Sequence, residues 1–134
     1  MKIPKNYFEE LPKFQVKDWD GYGSDAVIAK SVELVKKFIK VLPESDILPS
    51  WGVDPDGMMN LDWYTEGRSL NISFCPSGNL IYGLYSTPIK GDGGGSECGV
   101  VKFVDQVPGK VIELLMKLAT KDGVIFVGDS DHEK

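Results

Sequence analysis

Two short clusters of aspartate offer this chain its most direct route to chemistry. Asp18, Asp20 and Asp25 fall within eight residues, and Asp54 and Asp56 form a second pair. Closely spaced carboxylates are what a hard divalent cation needs. A calcium loop of the EF-hand type, however, asks for ligands at positions one, three and five, a glycine at six and a glutamate at twelve. Asp18-Trp-Asp-Gly and Asp54-Pro-Asp-Gly both fail after the second carboxylate. Asp-Gly and Pro-Asp-Gly are turn sequences instead. Neither a metal nor a cofactor is expected.

Other chemistries fare no better. The one histidine, His132, lies in the polar C-terminal segment, so no Ser-His or Cys-His pair is expected inside a packed site. Cys75, at a strand end, and Cys98, at the start of a strand, read as small semi-buried structural thiols. A carboxylate pair for glycoside hydrolysis would have to come from Asp62, Glu66 or Glu97, and spacing along the chain does not give their separation. The glycines at 91–96 lack the GK[ST] ending of a phosphate-binding loop. Base stacking on Trp51, Tyr64 or Tyr85 would need a basic groove, and the cations lie mainly on helix surfaces. With a net charge of −5, the chain has no Lys/Arg cluster to drive counterion release, so no nucleic-acid partner is expected.

A composition of 42% hydrophobic and 26% charged residues over 134 positions fits one globular domain spanning 1–134. Met1–Asn6 leads into no apolar signal segment, and no run approaches the length of a membrane span. Two cysteines without CxxC spacing suggest a reduced environment, so a cytoplasmic protein is expected.

The elements that would position these groups follow from periodicity. An N-terminal arm, 1–17, holds a short helical turn opened by Pro4 and limited by Pro12, with Tyr7, Phe8 and Leu11 on its apolar side. A helix capped by Ser24 carries Ile28, Val32, Val35, Phe38, Ile39 and Leu42 at helical spacing and ends at Pro43. The period then changes to two, giving strands over 60–64, 69–74 and 80–85. A Pro76-Ser77-Gly78 turn with Gly78 left-handed pairs Cys75 with Asn79, and therefore Phe74 with Leu80, Ile72 with Tyr82 and Leu70 with Leu84. A four-residue loop at 65–68 pairs Trp63 with Leu70, Leu61 with Ile72 and Met59 with Phe74. Both registers bring apolar residues to one face.

Further strands are expected near 51–53, before the meander, and at 100–104, after it and beyond a flexible loop at 90–97. Pro108 opens a second helix with Val111, Leu114, Leu115 and Leu118 on one side and Gly123 as its cap. A short strand at 124–127 and a disordered tail at 129–134 complete the reading. The expected fold is α+β: an antiparallel meander of four to six strands with two helices packed on one face, a two-layer sandwich.

The segment Trp19, Asp20, Gly21, Tyr22, Gly23, Ser24 and Asp25 resembles a family of small bacterial and phage proteins of uncharacterised activity. In these a WDGYG-type motif precedes an amphipathic helix ending near Leu-Pro, followed by a Pro-Asp-Gly turn and a strand with an acidic residue before Trp. Leu42-Pro43, Asp54-Pro-Asp-Gly57 and Leu61-Asp-Trp63 occur here in that order, so the resemblance covers roughly residues 18 to 85. It implies a fold and a bacterial or phage origin, and no activity. The motif itself reads as a structural corner, with Trp19 and Tyr22 packing where the arm meets the first helix.

What remains is the sheet face turned away from the helices. It would carry Asn60, Asp62, Tyr64, Ser69, Asn71, Ser73, Ile81 and Tyr85. Tyrosines and an isoleucine among short polar residues make a surface suited to protein recognition. The expected function is therefore a non-catalytic binding or regulatory module, with an inhibitor, antitoxin or immunity-like role as examples. Its partner would be another protein or a second copy. The alternatives are a small hydrolytic or carbohydrate-active enzyme using turn aspartates, and a structural subunit of a larger assembly.

Overall fold

The computed structural model describes residues 1–45, 47–86 and 95–122, with side chains as far as Leu118. Five antiparallel strands run in chain order across one sheet: β1 Ser50–Val53, β2 Met59–Thr65, β3 Arg68–Phe74, β4 Asn79–Ser86 and β5 Gly95–Lys102. Helices α1 (Ala29–Val41) and α2 (Gly109–Asp122) both lie against β2 and β3. The architecture is α+β, as expected. Each predicted cross-strand pair is present, from Met59–Phe74 and Trp63–Leu70 to Leu70–Leu84 and Phe74–Leu80. Gly78 has φ +99°, and its N–H donates to the Cys75 carbonyl. The β2–β3 loop is tighter than expected. Thr65 pairs with Arg68, which leaves only Glu66 and Gly67 in the turn.

Inward residues of the strands and helices form one core. Trp63, Phe74, Met59, Leu61, Leu70, Ile72 and Leu80 have no exposed surface, and neither do Phe38, Val35, Val111, Leu114 and Leu118 of the helices. Phe38 meets Phe74 and Phe103 edge-on, with centroids 5.2 and 5.4 Å away. Complete burial of side chains this large contributes roughly 1.5–3 kcal/mol each, which accounts for a stable sheet–helix seam without a disulfide.

Three expectations about the first half are corrected. α1 begins at Ala29 rather than at Ser24, and its N-terminus has no side-chain cap. Residues 25–28 are occupied otherwise: Asp25, Val27 and Ile28 donate backbone hydrogen bonds to Pro55, Phe14 and Gly57 at 2.7–2.8 Å. The helix's buried positions are Ser31, Leu34, Val35, Phe38 and Ile39, with Ile28 and Val32 only half-buried. Pro12 does not end its element but sits within a 3-10 helix, Leu11–Phe14, in the first turn where a missing N–H is tolerated. Trp51 faces the core side, where its indole N–H donates to the Tyr7 carbonyl at 2.6 Å and its ring contacts Phe8 and Phe14.

β5 starts at Gly95, so residues 95–97 of the expected loop are strand and Cys98 sits within β5, exposed rather than semi-buried. Residues 90–94, the Gly123 cap, the 124–127 strand, His132 and the 129–134 tail lie outside the described residues.

Candidate functional site

The register defines the sheet face that neither helix covers. One row runs Ser50–Asp62–Asn71–Gly83–Cys98, and beside it Gly52–Asn60–Ser73–Ile81–Val100. A third holds Tyr64–Ser69–Tyr85–Ser96. The predicted face residues Asn60, Asp62, Tyr64, Asn71, Ser73, Ile81 and Tyr85 are thus brought together on one surface.

Their side chains divide into two groups. The short polar ones satisfy each other: Asn71 donates to Asp62 at 2.6 Å, and Asn60 and Ser73 donate to the two oxygens of Asp54 at 2.8 and 3.4 Å. Asn60 is buried by this arrangement. The larger ones stand free of it, with Tyr64 65%, Tyr85 51%, Ile81 42% and Val100 59% exposed. These bonds tie the outer side chains of β2 and β3 to one another and to the Asp54 turn.

The Tyr85 ring lies across Gly83, where a Cβ would fall 2.8 Å from the phenol oxygen. A glycine in a strand thus leaves room for a ring to cover the backbone. Asp54 is half-buried, and its carboxyl is held above the ordinary range, first by that burial and next by the charge of Asp56. Val100, Cys98 and Ser96 belong to this face but were not expected on it. Counting alternately back from Val100 would have found them, but Gly95 and Gly99 mask the strand, because glycine is depleted in strands.

The aspartate-rich turn has a different character. Asp18 accepts from the Gly23 N–H at 2.6 Å, and Asp20 accepts from the Tyr22 and Ser24 N–H groups and from the Ser24 hydroxyl. Asp25 pairs with Lys17 at 3.1 Å. All three carboxylates are therefore engaged within the loop, and Ser24 serves Asp20 rather than the helix. Trp19 is half-buried against Phe14, centroids 4.6 Å apart, and donates to the Asp25 carbonyl at 2.8 Å. Tyr22 does not pack into the corner; it is 91% exposed.

Hydrogen bonds hold the Asp20 carboxyl below its ordinary range, that from Ser24 Oγ first and that from the Tyr22 N–H next. A depressed folded-state pKa contributes stability that is present above ~pH 4 and is lost as pH falls through the lower, folded value. Asp20→Asn is therefore expected to be less stable than the wild type at neutral pH and to converge with it in acid. Thermal melts across pH test this; a stability difference that stays constant into acid would refute it.

Of the carboxylates considered for glycoside chemistry, Glu66 sits in the β2–β3 turn, and the other two lie on opposite faces of the sheet. Asp62 lies on the open face, whereas Glu97, opposite Leu84, lies on the helix side. Glu97 is engaged by Lys110 and, at 2.9 Å, by Lys117, and both lysines also reach Glu113. These pairs lower the Glu97 and Glu113 carboxyls. Beside them, sequence reasoning missed a groove of about 570 Å³ lined by Arg68, Ile112, Met116 and Lys117. At its edge the Arg68 guanidinium donates to the Lys117 carbonyl, and its α2 residues Ile112 and Met116 lie off the stripe of Val111, Leu114, Leu115 and Leu118 that periodicity picks out. Cys75 has its thiol pushed up by burial and then by Asp56, which disfavours the reactive thiolate.

Among the described residues, no helix is long and apolar enough to cross a membrane. No protein-family model, curated protein or solved structure matches this chain, and its candidate site stands on geometry alone.

Proposed function

We propose that the protein is a non-catalytic binding module whose open sheet face docks another protein. One observation carries this reading: Tyr64, Ile81, Tyr85 and Val100 stand exposed together around Asn60, Asn71 and Ser73, which already donate to Asp54 and Asp62. Tyrosine offers large contact area with few rotatable bonds and a hydroxyl to pair, the properties that enrich it at interfaces. A bacterial or phage origin, which the resemblance of residues 18–85 implies, is part of the same proposal. An inhibitor, antitoxin or immunity role would suit a compact module that works by occupying a partner's surface.

A random-peptide display library panned on the immobilised protein tests the reading. Replacing Tyr64 and Val100 together by threonine keeps strand propensity and removes the ring and the apolar edge. Tyr85 is left in place because its ring covers Gly83. Selected binders are expected to weaken about tenfold or more on this double variant, as loss of an interface anchor requires. Its unfolding free energy should stay within about 0.5 kcal/mol of the wild type, the usual range for surface substitutions. Binders that retain full affinity for the variant would place recognition elsewhere.

A further inference from the structure

The open face is electrically one-sided. Asp54 and Asp62 lie on it and Asp56 sits in the adjoining turn, while among the described strands the only cation in an outward position is Lys102. Lys102, on β5, pairs in register with Asn79 of β4, two strands across and two residues along from the Ser73 that Asp54 reaches, or about 12 Å between backbones. One cation against Asp54, Asp56 and Asp62 leaves the described part of the face net negative. Asp54 senses the imbalance, since its carboxyl is raised by burial and by the charges of Asp56 and Asp62. A second copy is a poor occupant, because a two-fold interface would set this acidic surface against itself. A nucleic-acid backbone is repelled for the same reason.

The aromatic surface lies in line with the charge. Tyr85's ring covers Gly83, and Gly83 shares a cross-strand row with Asn71 and Asp62. Asp62 keeps an oxygen not used by Asn71, since only Oδ1 accepts from that amide. A carboxylate and the face of a phenol ring therefore lie about 10 Å apart on one flat surface. Guanidinium groups of one segment suit both, one pairing with the carboxylate in a planar fork and another stacking on the ring, whereas an ammonium pairs as a point charge.

We infer that the open face recognises a basic, arginine-bearing segment of a protein partner, drawn by the charge of Asp54 and Asp62, with guanidinium groups pairing with the open oxygen of Asp62 and stacking on Tyr85 and Tyr64. This rests on the docking role proposed above for the same face and adds the chemistry of what docks.

The probe is a capped heptapeptide alternating glycine and arginine, compared with its lysine and glutamate counterparts, by titration of the ¹⁵N-labelled protein. The arginine peptide is expected to shift the amides of Asp62, Tyr64, Asn71 and Tyr85 saturably, the lysine peptide about fivefold more weakly, and the glutamate peptide not at all. The double variant Asp54→Asn and Asp62→Asn, which keeps the side-chain shapes, should weaken the arginine peptide about tenfold. Glu33→Gln, on the exposed side of α1, should leave it unchanged. Rising salt should weaken binding to the wild type as well, a readout that needs no variant.

Equal affinity for arginine and lysine, indifference to the double Asp variant or to salt, or shifts on another surface would overturn the inference. Display-selected binders separate the two levels. If they need Tyr64 and Val100 but ignore the Asp54/Asp62 variant, docking stands and the basic partner falls. If they ignore Tyr64 and Val100, the docking face itself falls.

Discussion

Gly57→Ala is expected to destabilise the domain by about 3 kcal/mol, read as a lower urea midpoint with an unchanged slope. Gly57 ends the Asp54-Pro-Asp-Gly turn with φ +91°, a conformation that strains any side-chain-bearing residue. A Cβ there would also fall 2.6 Å from the Ala26 carbonyl oxygen and 3.0 Å from Ile28. The first of these is backbone, held because Asp25 and Ile28 donate to Pro55 and Gly57 at 2.8 Å. Relief would require peeling the segment before α1 away from the turn that positions Asp54. Strain and overpacking each cost on the order of 1–3 kcal/mol, and here they add. A loss below about 1 kcal/mol would mean that the turn and the 25–28 segment are not locked together as described.

Ser31→Ala is the second large effect, also about 3 kcal/mol, although it removes a single oxygen. Ser31 is fully buried on α1. Its hydroxyl donates to the Phe74 carbonyl at 2.6 Å and accepts from the Met59 N–H at 2.8 Å, bridging the helix to the paired ends of β2 and β3. Alanine leaves both backbone groups buried without a partner, and each such loss costs roughly 1–3 kcal/mol. Hydrogen exchange at Met59 should accelerate with the fall in stability. A neutral substitution would show that water or a backbone shift satisfies both groups.

These two residues also mark where the sequence stops being legible. The meander could be read because two independent signals agreed: turn residues at Gly78 and Gly67, and an apolar alternation that both registers send to one face. A slip by one residue would have exposed Trp63, Leu61 and Phe74, so the pattern tolerates no other pairing. The start of α1 was not legible. Ser24 has the right type for a cap, but Asp20 four residues earlier competes for its hydroxyl, and the backbone of 25–28 finds partners in a turn thirty residues away. Ser31 carries no local signal of its role, because its value depends on backbone ends that only the tertiary fold brings to it.

The candidate site was legible in the same uneven way. Alternation placed Asn60, Asp62, Tyr64, Asn71, Ser73, Ile81 and Tyr85 on one face. It did not reveal that Asn60 is buried beneath the polar network, nor that Val100 and Cys98 extend the face along β5. Aspartates that looked like ligands in the 18–25 turn are engaged by its own N–H groups and by Lys17, which local spacing alone does not disclose.

The most direct test of the docking face is the footprint of a bound molecule on the wild-type protein. Amide hydrogen exchange with the tightest display-selected peptide should show protection confined to the outer rows of β2 to β5, around Asp62, Tyr64, Asn71, Ser73, Tyr85 and Val100. Protection centred instead on the exposed side of α1, or on the groove at Arg68 and Met116, would contradict it.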